Sequence, residues 1–385
     1  MTGVYYDHAA TTPVDPRVLE AMLPFFGEAY GNPSELHRLG RVARAAVDEA
    51  RARVAAALGA GEKEIVFTSG GTEADNLALL GYLRGSPPGH LIVSAVEHPA
   101  VVEPARALEH SGWAVDRVPV DAGGVVDLDA YERAFRDDTR LVSIMLANNV
   151  VGTIQPVAEL ARIAHERGAA FHTDAVQAVG AVPVDVRELG VDLLSLSAHK
   201  LYGPKGVGAL YVKRGTRLTP IVHGGGQERR LRSGTENVPG VVGLGQALTL
   251  AVEAMPEARP RIERMRDDLV RGLLESIPDV TLLGHPTRRL PGNVAVTVRY
   301  VEGESMLLHL DAQGFMVSSG SACATGSEEP SPVVLALGVP VKDAHGSLRL
   351  SLGRQNTPAE VEAFLQAFPP IVEKLRHMSP LYTKG

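Results

Sequence analysis

The chain lacks most of the features that mark disulfide-bonded proteins and several common enzyme classes. It has one cysteine in 385 residues, Cys323, so it cannot form an intrachain disulfide or a cysteine-rich zinc site. It has no HExxH sequence, which leaves a catalytic zinc site with little support. It also has no GxxxxGK[ST] phosphate loop and no GxSxG nucleophile elbow. The sequence therefore does not indicate a P-loop nucleotidase or a serine esterase.

Long hydrophobic runs and a strong charge of one sign are missing as well. No uninterrupted apolar run approaches the roughly 18 residues needed to span a bilayer. Residues 1–10 show no basic stretch followed by an apolar core, so we expect no secretory signal. The net charge of −7 argues against a protein that binds nucleic acid by neutralising phosphates. A chain with a single thiol fits a reducing compartment, so we expect a cytoplasmic protein. The charge and the lack of long apolar runs predict neither a nucleic-acid nor a membrane partner.

Strand-like and helix-like segments alternate through the first 213 residues. The strand-like segments are Glu64–Thr68, His90–Ser94, Leu141–Leu146, Ala169–Thr173, Asp192–Ser197 and Gly208–Lys213. The helix-like segments are Thr72–Leu83, Val101–His110 and Pro156–Arg167. Strands that are separated by helices pair in parallel, and the crossover helices cover both faces of the sheet. The sequence therefore predicts an α/β domain with a mainly parallel sheet flanked by helices.

The pattern changes in the last third of the chain. A long helical stretch contains Pro256 and Pro260, which predict a kink or break. It is followed by segments that alternate like half-exposed strands or have a helical period. In chain order these segments are Val241–Ile277, Val294–Arg299, Glu304–Asp311, Ser347–Ser351 and Thr357–His377. We predict a large domain at 14–256 and a smaller α+β domain at 257–385 that includes residues 1–13.

A run of small residues, TSGGTE at 68–73, lies between a predicted strand and a predicted helix. Small residues allow close approach to the backbone, and the unpaired N–H groups at a helix start favour an anion. Gly71 and Thr72 are therefore candidate phosphate ligands. The alternative is an ordinary helix start that Ser69 or Thr72 caps.

Chemistry-bearing residues follow two other predicted strands. Asp174 comes after Ala169–Thr173, and Lys200 follows Ser197. The carboxyl ends of the strands line the ligand crevice of an open α/β sheet. Asp174 could pair with a protonated ring nitrogen or simply cap a helix, and Lys200 could form a Schiff base or be a solvated surface group. An anion site, a pyridinium partner and a Schiff-base lysine together are what pyridoxal phosphate requires.

Two further residues stand out by their context. His98 follows the strand His90–Ser94, where it could stack on a cofactor ring or transfer protons, although an isolated histidine here would be an ordinary loop residue. Cys323 lies in SSGSACATG at 318–326, a segment of small and polar residues. A structural cysteine usually has an apolar setting, whereas reactive thiols are accessible. We therefore interpret Cys323 as a reactive thiol.

These residues and the segments around them resemble the cysteine desulfurases of the NifS/IscS type, which are fold-type I pyridoxal-phosphate enzymes. The resemblance covers almost the whole chain, and SSGSAC with the longer loop through Ser331 is similar to this subgroup rather than to the SufS-like one. The segments that carry it are 6–13 (YDHAATTP), 31–34 (GNPS), 68–76, 97–99 (EHP), 148–149 (NN), 172–177 (HTDAVQ), 197–206 (SAHKLYGPKG), 232–237 (RSGTEN), 318–323 and 351–354 (SLGR).

The resemblance implies a role for each matching residue. Lys200 would hold the cofactor through a Schiff base and move the Cα proton, Asp174 would pair with the pyridine nitrogen, and His98 would stack on the ring and transfer protons. The other implied ligands are Gly71, Thr72, Ser197 and His199 for the phosphate, Gln177 and Asn149 for the phenolic oxygen, Thr235 for the phosphate of a neighbouring subunit, and Asn149 and Arg354 for the substrate. Arg354 would bind the substrate carboxylate in a bidentate way.

The activity implied by the resemblance is removal of sulfur from L-cysteine, which gives L-alanine and a persulfide on Cys323. A homodimer would pass this sulfur to an acceptor such as an iron–sulfur scaffold protein, for cluster or thio-cofactor assembly. No resident metal is implied, and Cys323 would contact an iron–sulfur cluster only in passing. Val150 stands where the family usually has glutamate. The alternatives are a related lyase or aminotransferase, or a non-catalytic paralogue that binds partners.

Overall fold

A computed structural model describes residues 3–320, 330–380 and 382. The strands are β1 Val4–Tyr5, β2 Ile65–Thr68, β3 His90–Ser94, β4 Ala114–Val118, β5 Thr139–Ser143, β6 Ala170–Asp174, β7 Leu193–Ser197, β8 Gly208–Val212, β9 Val280–Leu282, β10 Asn293–Val298, β11 Phe315–Met316 and β12 Ser347–Ser351. The helices are α1 Pro16–Met22, α2 Pro24–Gly27, α3 Arg38–Leu58, α4 Gly71–Leu83, α5 Pro99–His110, α6 Leu128–Arg133, α7 Val157–Glu166, α8 Val186–Leu189, α9 Val238–Ser276, α10 Gly303–Ala312, α11 Pro332–Ala336, α12 Val341–Ala344 and α13 Pro358–Met378.

In the described part of the chain, seven strands form the main sheet in the order β2-β8-β7-β6-β5-β3-β4. Neighbouring strands from β7 to β4 pair in parallel, whereas β8 is antiparallel to both β2 and β7. Apolar clusters cover both faces of this sheet. The predicted α/β fold with a mainly parallel sheet is confirmed, and every parallel strand ends at one edge.

The second half of the chain builds a smaller layered unit. Strands β12, β10 and β9 form an antiparallel sheet, and β1 pairs in parallel with β11. This sheet packs on α13 and on the second half of α9 around an apolar cluster that includes Val296, Leu350 and Phe364. The N-terminal strand β1 therefore pairs with a strand from the later part of the chain.

The prediction that the strands after residue 290 are half exposed is wrong. Every residue of β10 and of β12 is buried. The polar face of β12 is covered because Ser347, Arg349 and Ser351 bond to neighbouring segments, with Ser351 Oγ accepting from Ala9 N–H at 2.9 Å. The alternation is real, but its polar side faces the junction with the large domain rather than solvent.

Helix α9 continues through Pro256 and Pro260, so the predicted break does not occur. Both prolines lie on the exposed side of the helix, where water can bind the carbonyl groups that lose their N–H partners. Core residues change from one apolar cluster to the other between Ala251 and Ile262. The boundary near residue 257 falls inside this helix, and the domain division stays a prediction.

Helix α9 is also the one helix among the described residues that is long and apolar enough to cross a membrane by length and composition alone. In its most apolar window, 56% of the helix is buried inside the protein. Its first half packs against α1 and α3, in the same cluster as Val47, Val54 and Leu244. Buried core helices pass the same length and composition test, so this helix is weak evidence for a membrane span.

Candidate active site

The start of α4 forms an anion-sized recess at the carboxyl edge of the sheet. The first hydrogen bond of this helix joins Ala74 N–H to Gly70 O at 3.1 Å, so the N–H groups of the preceding residues have no partner within the helix. A Cβ atom on Gly71 would come within 2.7 Å of Val176 Cγ2. Thr72 follows it, and Ser197 at the end of β7 closes the recess from the side. Helix-terminal N–H groups with a hydroxyl nearby suit a phosphate.

Asp174 is the last residue of β6, and it is buried. Its Oδ1 accepts from Val176 N–H at 2.8 Å. Burial raises the pKa of Asp174, whereas His98, the Val176 N–H and Lys200 oppose this rise. A buried carboxyl group that a lysine amine and hydrogen-bond donors stabilise is suited to pairing with a protonated ring nitrogen.

His98 is the N-cap of α5, and its Nδ1 accepts from Ala100 N–H at 3.1 Å. This bond leaves the ring proton of the neutral histidine on Nε2. Burial lowers the pKa of His98, the charge of Asp174 opposes this, and Lys200 adds to it. The neutral ring is therefore a proton donor at Nε2 at physiological pH.

Lys200 ends a short 3₁₀ turn, Ala198–Lys200, directly after β7. Its Nζ donates to the carbonyl oxygens of Ala9 at 2.6 Å and Ala10 at 2.7 Å. Gln177 Nε2 also donates to Ala9 O, at 2.9 Å. The N-terminal segment is therefore held beside the site by Lys200, nominated for catalysis, and by Gln177, nominated as a cofactor ligand.

His199 lies beside Lys200 and bonds through Nδ1 to Thr11 Oγ1 at 3.2 Å. Burial lowers the pKa of His199 to about 4, and the charges of Lys200 and Lys205 add to this effect. The ring is therefore neutral at pH 7 and can act as a hydrogen-bond partner of an anion.

One buried guanidinium in this site was not foreseen from the sequence. Arg349 on β12 donates from Nη2 to Asp7 Oδ1 at 2.7 Å and from Nη1 to Asn149 O at 3.0 Å. Its Nε is buried and has no hydrogen-bond partner among the described residues. The signal in the sequence is the row of polar residues at 347, 349 and 351, which places Arg349 on one face of its strand.

These groups meet around one cavity of about 360 Å³. Of the residues nominated from the sequence, the cavity is lined by Gly71, Thr72, His98, Asn149, Asp174, Gln177, Ser197, His199 and Lys200. Asp75, Met145 and Arg349 line it as well, although the sequence did not single them out. The cavity combines an anion recess, a buried carboxyl group and a lysine amine, so its donor set fits pyridoxal phosphate.

Three nominated residues lie elsewhere. The Arg354 guanidinium stacks 3.8 Å above the ring of Tyr202 and lines a neighbouring cavity that shares Gln177 and Lys200. Thr235 is exposed and does not line the site of its own chain. Cys323 lies outside the described residues. The roles of all three stay predictions.

The segment that carries Thr235 is tied to the anion recess. Arg232 Nε donates to Glu73 Oε1 at 2.8 Å, and Glu236 pairs with Arg44 at 2.7 Å. Glu73 belongs to the first turn of α4 and also accepts from Ser69 N–H at 2.9 Å. The Arg232–Glu73 pair holds this segment next to the start of α4, and the Arg44–Glu236 pair ties it to α3, while the Thr235 side chain stays exposed.

Comparison with known proteins identifies the family. The aminotransferase class-V model matches residues 4–364. The chain is 52% identical to a protein named cysteine desulfurase IscS from Methanosarcina thermophila, over 99% of this chain and 95% of the relative. It is 51% identical to a protein of the same name from Dictyoglomus turgidum, over 98% and 96%.

Solved structures agree with this. A NifS-like protein superposes with a TM-score of 0.92 at 40% identity, covering 97% of this chain and 100% of the other. A structure described as SspA in complex with cysteine has a TM-score of 0.81 at 36% identity, covering 92% and 100%. The chain belongs to the class-V aminotransferase family and, within it, to the cysteine desulfurases of the NifS/IscS type.

Proposed function

We propose that this protein is a pyridoxal-phosphate-dependent cysteine desulfurase that converts L-cysteine to L-alanine and keeps the sulfur as a persulfide on Cys323. The observation that carries the proposal is the meeting of Lys200, Asp174 and His98 with an anion recess in one cavity. The full-length likeness to proteins named cysteine desulfurase supports the same activity.

The cofactor would be held by residues that already have the necessary polarity. The N–H groups of Gly71 and Thr72, with Ser197 and His199, would bind the phosphate. Asp174 would carry the negative charge opposite the ring nitrogen, and Gln177 and Asn149 would bond to the phenolic oxygen. When bound, pyridoxal phosphate supplies an electron-accepting ring that stabilises negative charge at the substrate Cα.

Lys200 and His98 would handle the protons. The Lys200 amine is held at the end of β7 by two backbone carbonyl groups, so it reaches the site from a rigid element. His98 presents Nε2–H because its Nδ1 is engaged by the Ala100 amide. One group can therefore take up a proton at the substrate while the other gives one back.

For the substrate carboxylate, we propose Arg349 rather than Arg354 as the guanidinium that binds it. Arg349 lines the same cavity as Lys200 and Asp174, and its Nε has no partner among the described residues. Arg354 has its guanidinium over Tyr202, and one of its nitrogen atoms lies 3.9 Å from Asp15. A planar guanidinium inside the cavity can bind a carboxylate with two parallel bonds.

The sulfur step would use Cys323 as its thiolate. The thiolate sulfur attacks the sulfur atom of cysteine, the carbon–sulfur bond of the substrate breaks, and Cβ receives a proton. Cysteine and an enzyme thiol thus become alanine and an enzyme persulfide, with no outside oxidant or reductant. The persulfide would then pass to a sulfur acceptor for iron–sulfur cluster or thio-cofactor assembly in the cytoplasm.

We also propose a homodimer in which Thr235 reaches the phosphate of the second copy. Two observations support it: Thr235 is exposed on its own chain, and large hydrophobic side chains are exposed between residues 19 and 36. These side chains are Leu19, Leu23, Phe26, Tyr30 and Leu36. Sedimentation of the holoenzyme tests this proposal, and a monomer that turns over cysteine would contradict it.

A single-turnover reaction tests the activity. Holoenzyme is mixed with L-cysteine and no reductant, alanine is assayed, and the intact mass of the protein is taken. Wild type is expected to give alanine and a protein one sulfur atom heavier, whereas Cys323→Ala should keep the cofactor spectrum and form no persulfide. Undiminished desulfuration by Cys323→Ala would contradict the assignment of the nucleophile. Rapid transamination of pyruvate instead would indicate an aminotransferase.

A further inference from the structure

A second carboxyl group lies buried behind Asp174. Asp75, on the first turns of α4, is 1% exposed and lines the same cavity as Asp174 and Lys200. Its Oδ1 has no hydrogen-bond partner among the described residues and lies 3.5 Å from His172 Nε2. An acid in this setting needs an explanation, because an ionised carboxylate that is buried without partners costs several kcal/mol.

The groups beneath Asp75 form a buried polar chain that supplies no positive charge. Ser143 Oγ bonds to His172 Nδ1 at 2.8 Å, and His172 Nε2 bonds to Ser195 Oγ at 3.0 Å. Burial lowers the pKa of His172 to about 3. The ring is therefore neutral at pH 7, and its approach to Asp75 is not an ion pair.

The two carboxyl groups have unequal surroundings. Asp174 has a backbone N–H, His98 and Lys200 to stabilise its negative charge. Asp75 faces the carboxyl groups of Asp174 and Glu97, the neutral ring of His172 and the hydroxyl of Ser195. Burial raises the pKa of Asp75, Asp174 and Glu97 raise it further, and the Ser195 hydroxyl opposes them. Two buried carboxyl groups that repel each other do not both ionise, so the proton settles on Asp75, which lacks the stabilising Lys200 amine.

We propose that Asp75 is a positioning residue that keeps its proton at neutral pH, so that of these two carboxyl groups only Asp174 is ionised toward the cofactor ring. Where it concerns the cofactor, this inference rests on the proposed function. The neutral acid at Asp75 lines the cavity without adding a second negative charge to it. The charge opposite the ring nitrogen is then set by Asp174.

Infrared spectroscopy of the holoenzyme at pH 7 tests the proton directly. The wild-type spectrum should contain two protonated-carboxyl bands that shift in heavy water, one from Asp75 and one from Glu97. The Asp75 band should be lost in Asp75→Asn, and Asp75→Ser serves as a second variant if the first does not fold. Glu97→Gln is the matched control, because it should remove the Glu97 band and leave the Asp75 band in place. A spectrum that keeps both bands in both Asp75 variants would overturn the proposal.

The cofactor absorption spectrum gives a second readout that does not depend on turnover. Asp174→Asn removes a charge and should shift the cofactor band, whereas Asp75→Asn replaces a neutral acid by a neutral amide and should leave the band in place. A shift in Asp75→Asn as large as that in Asp174→Asn would mean that Asp75 is charged, and would overturn the proposal. If the wild type bound no cofactor, the proposed function would fail, while the infrared band would still decide the state of Asp75.

Discussion

The two ends of the main sheet differ in how their carboxyl groups are hydrogen-bonded. At the amino end, Asp192 accepts from His165 Nε2 at 2.7 Å, Phe171 N–H at 2.9 Å and Lys213 Nζ at 3.2 Å, and its side chain is 13% exposed. At the carboxyl end, Asp75 and Glu97 each have an oxygen atom that is buried and has no partner among the described residues. The carboxylate at the amino end has donors for its charge, whereas each acid at the carboxyl end keeps one oxygen atom without a donor among the described residues.

The difference shows that the carboxyl end of the sheet is the less stable of the two. A carboxylate with three donors and access to water stabilises the structure around it. Buried acids without partners destabilise the ionised state and shift pKa values, which is the usual condition of catalytic sites. The same strands therefore provide a stable amino end and, at the carboxyl end, a set of acids with shifted pKa values.

The largest expected effect is on turnover, and it should occur only at the carboxyl end of the sheet. Lys200→Ala should lower turnover of L-cysteine by about 10³-fold, the middle of the range for loss of a positioned acid–base group. Lys213→Ala is the matched change at the amino end and should leave turnover within about twofold, because it removes only a partner of Asp192. Steady-state alanine formation measures both. Equal losses would break the functional contrast between the ends.

The next effect concerns Arg349, the residue of β12 that lines the cavity. Arg349→Lys should raise KM for cysteine by about tenfold or more, since lysine cannot copy a bidentate carboxylate contact and a bond to a charged group contributes about 1.5–3 kcal/mol. Arg354→Lys should raise KM for cysteine less than Arg349→Lys does. The reverse order in cysteine titrations would return the carboxylate role to Arg354.

The third prediction concerns stability against pH. Burial raises the pKa of Glu97 to about 8, although Ser94 Oγ at 2.5 Å and Met145 N–H at 2.9 Å donate to its Oε1. The unfolded chain loses this proton near pH 4.3, well before the folded one does. The Glu97 contribution is therefore fully present below that pH and is lost as the pH rises through about 8.

Urea denaturation of the holoenzyme at pH 5 and pH 8 measures this contribution. Glu97→Gln should reduce the fall in the free energy of unfolding between the two values, while the part that comes from Asp75 remains. Asp192→Asn, at the other end, should lower stability by about 1 kcal/mol and keep the wild-type slope. A fall that is undiminished in Glu97→Gln would place the pH-sensitive group elsewhere.

The smallest effect is expected on the surface beside the amino end. Arg162 and Glu166 on α7 form an i,i+4 ion pair with both side chains about 60% exposed. Arg162→Ala should cost no more than about 0.5 kcal/mol. A loss above about 1 kcal/mol in the same denaturation experiment would mean that this end depends on its surface charges.

Much of the fold is predictable from local pattern. The strand His90–Ser94 has the predicted bounds, and β2, β6, β7 and β8 differ from them by one residue at one or both ends. Continuous apolar runs between turn residues mark strands that are buried on both faces. By contrast, no element was predicted for Arg38–Leu58 or Ala114–Val118, which form α3 and the edge strand β4. Strand β4 is only partly buried, so its pattern is weak.

The candidate site divides in the same way. Lys200, Asp174 and His98 were found because each follows a strand, and parallel strands bring their carboxyl ends to one edge. Arg349 was missed because it comes from a strand of another sheet, and only packing places that strand against the cavity. Asp75 and Glu97 were missed because nothing in their local pattern distinguishes a buried acid from a solvated one.

The sequence by itself determined the order of strands and helices, the family and the set of residues available for cofactor chemistry. Those properties depend on side-chain period and on short segments, which are local. The tertiary structure decided which of several arginines faces the cavity, which face of β12 is covered and which carboxyl oxygen atoms have no partner among the described residues. Those properties depend on contacts between distant segments, and burial turns the contacts into differences of charge state.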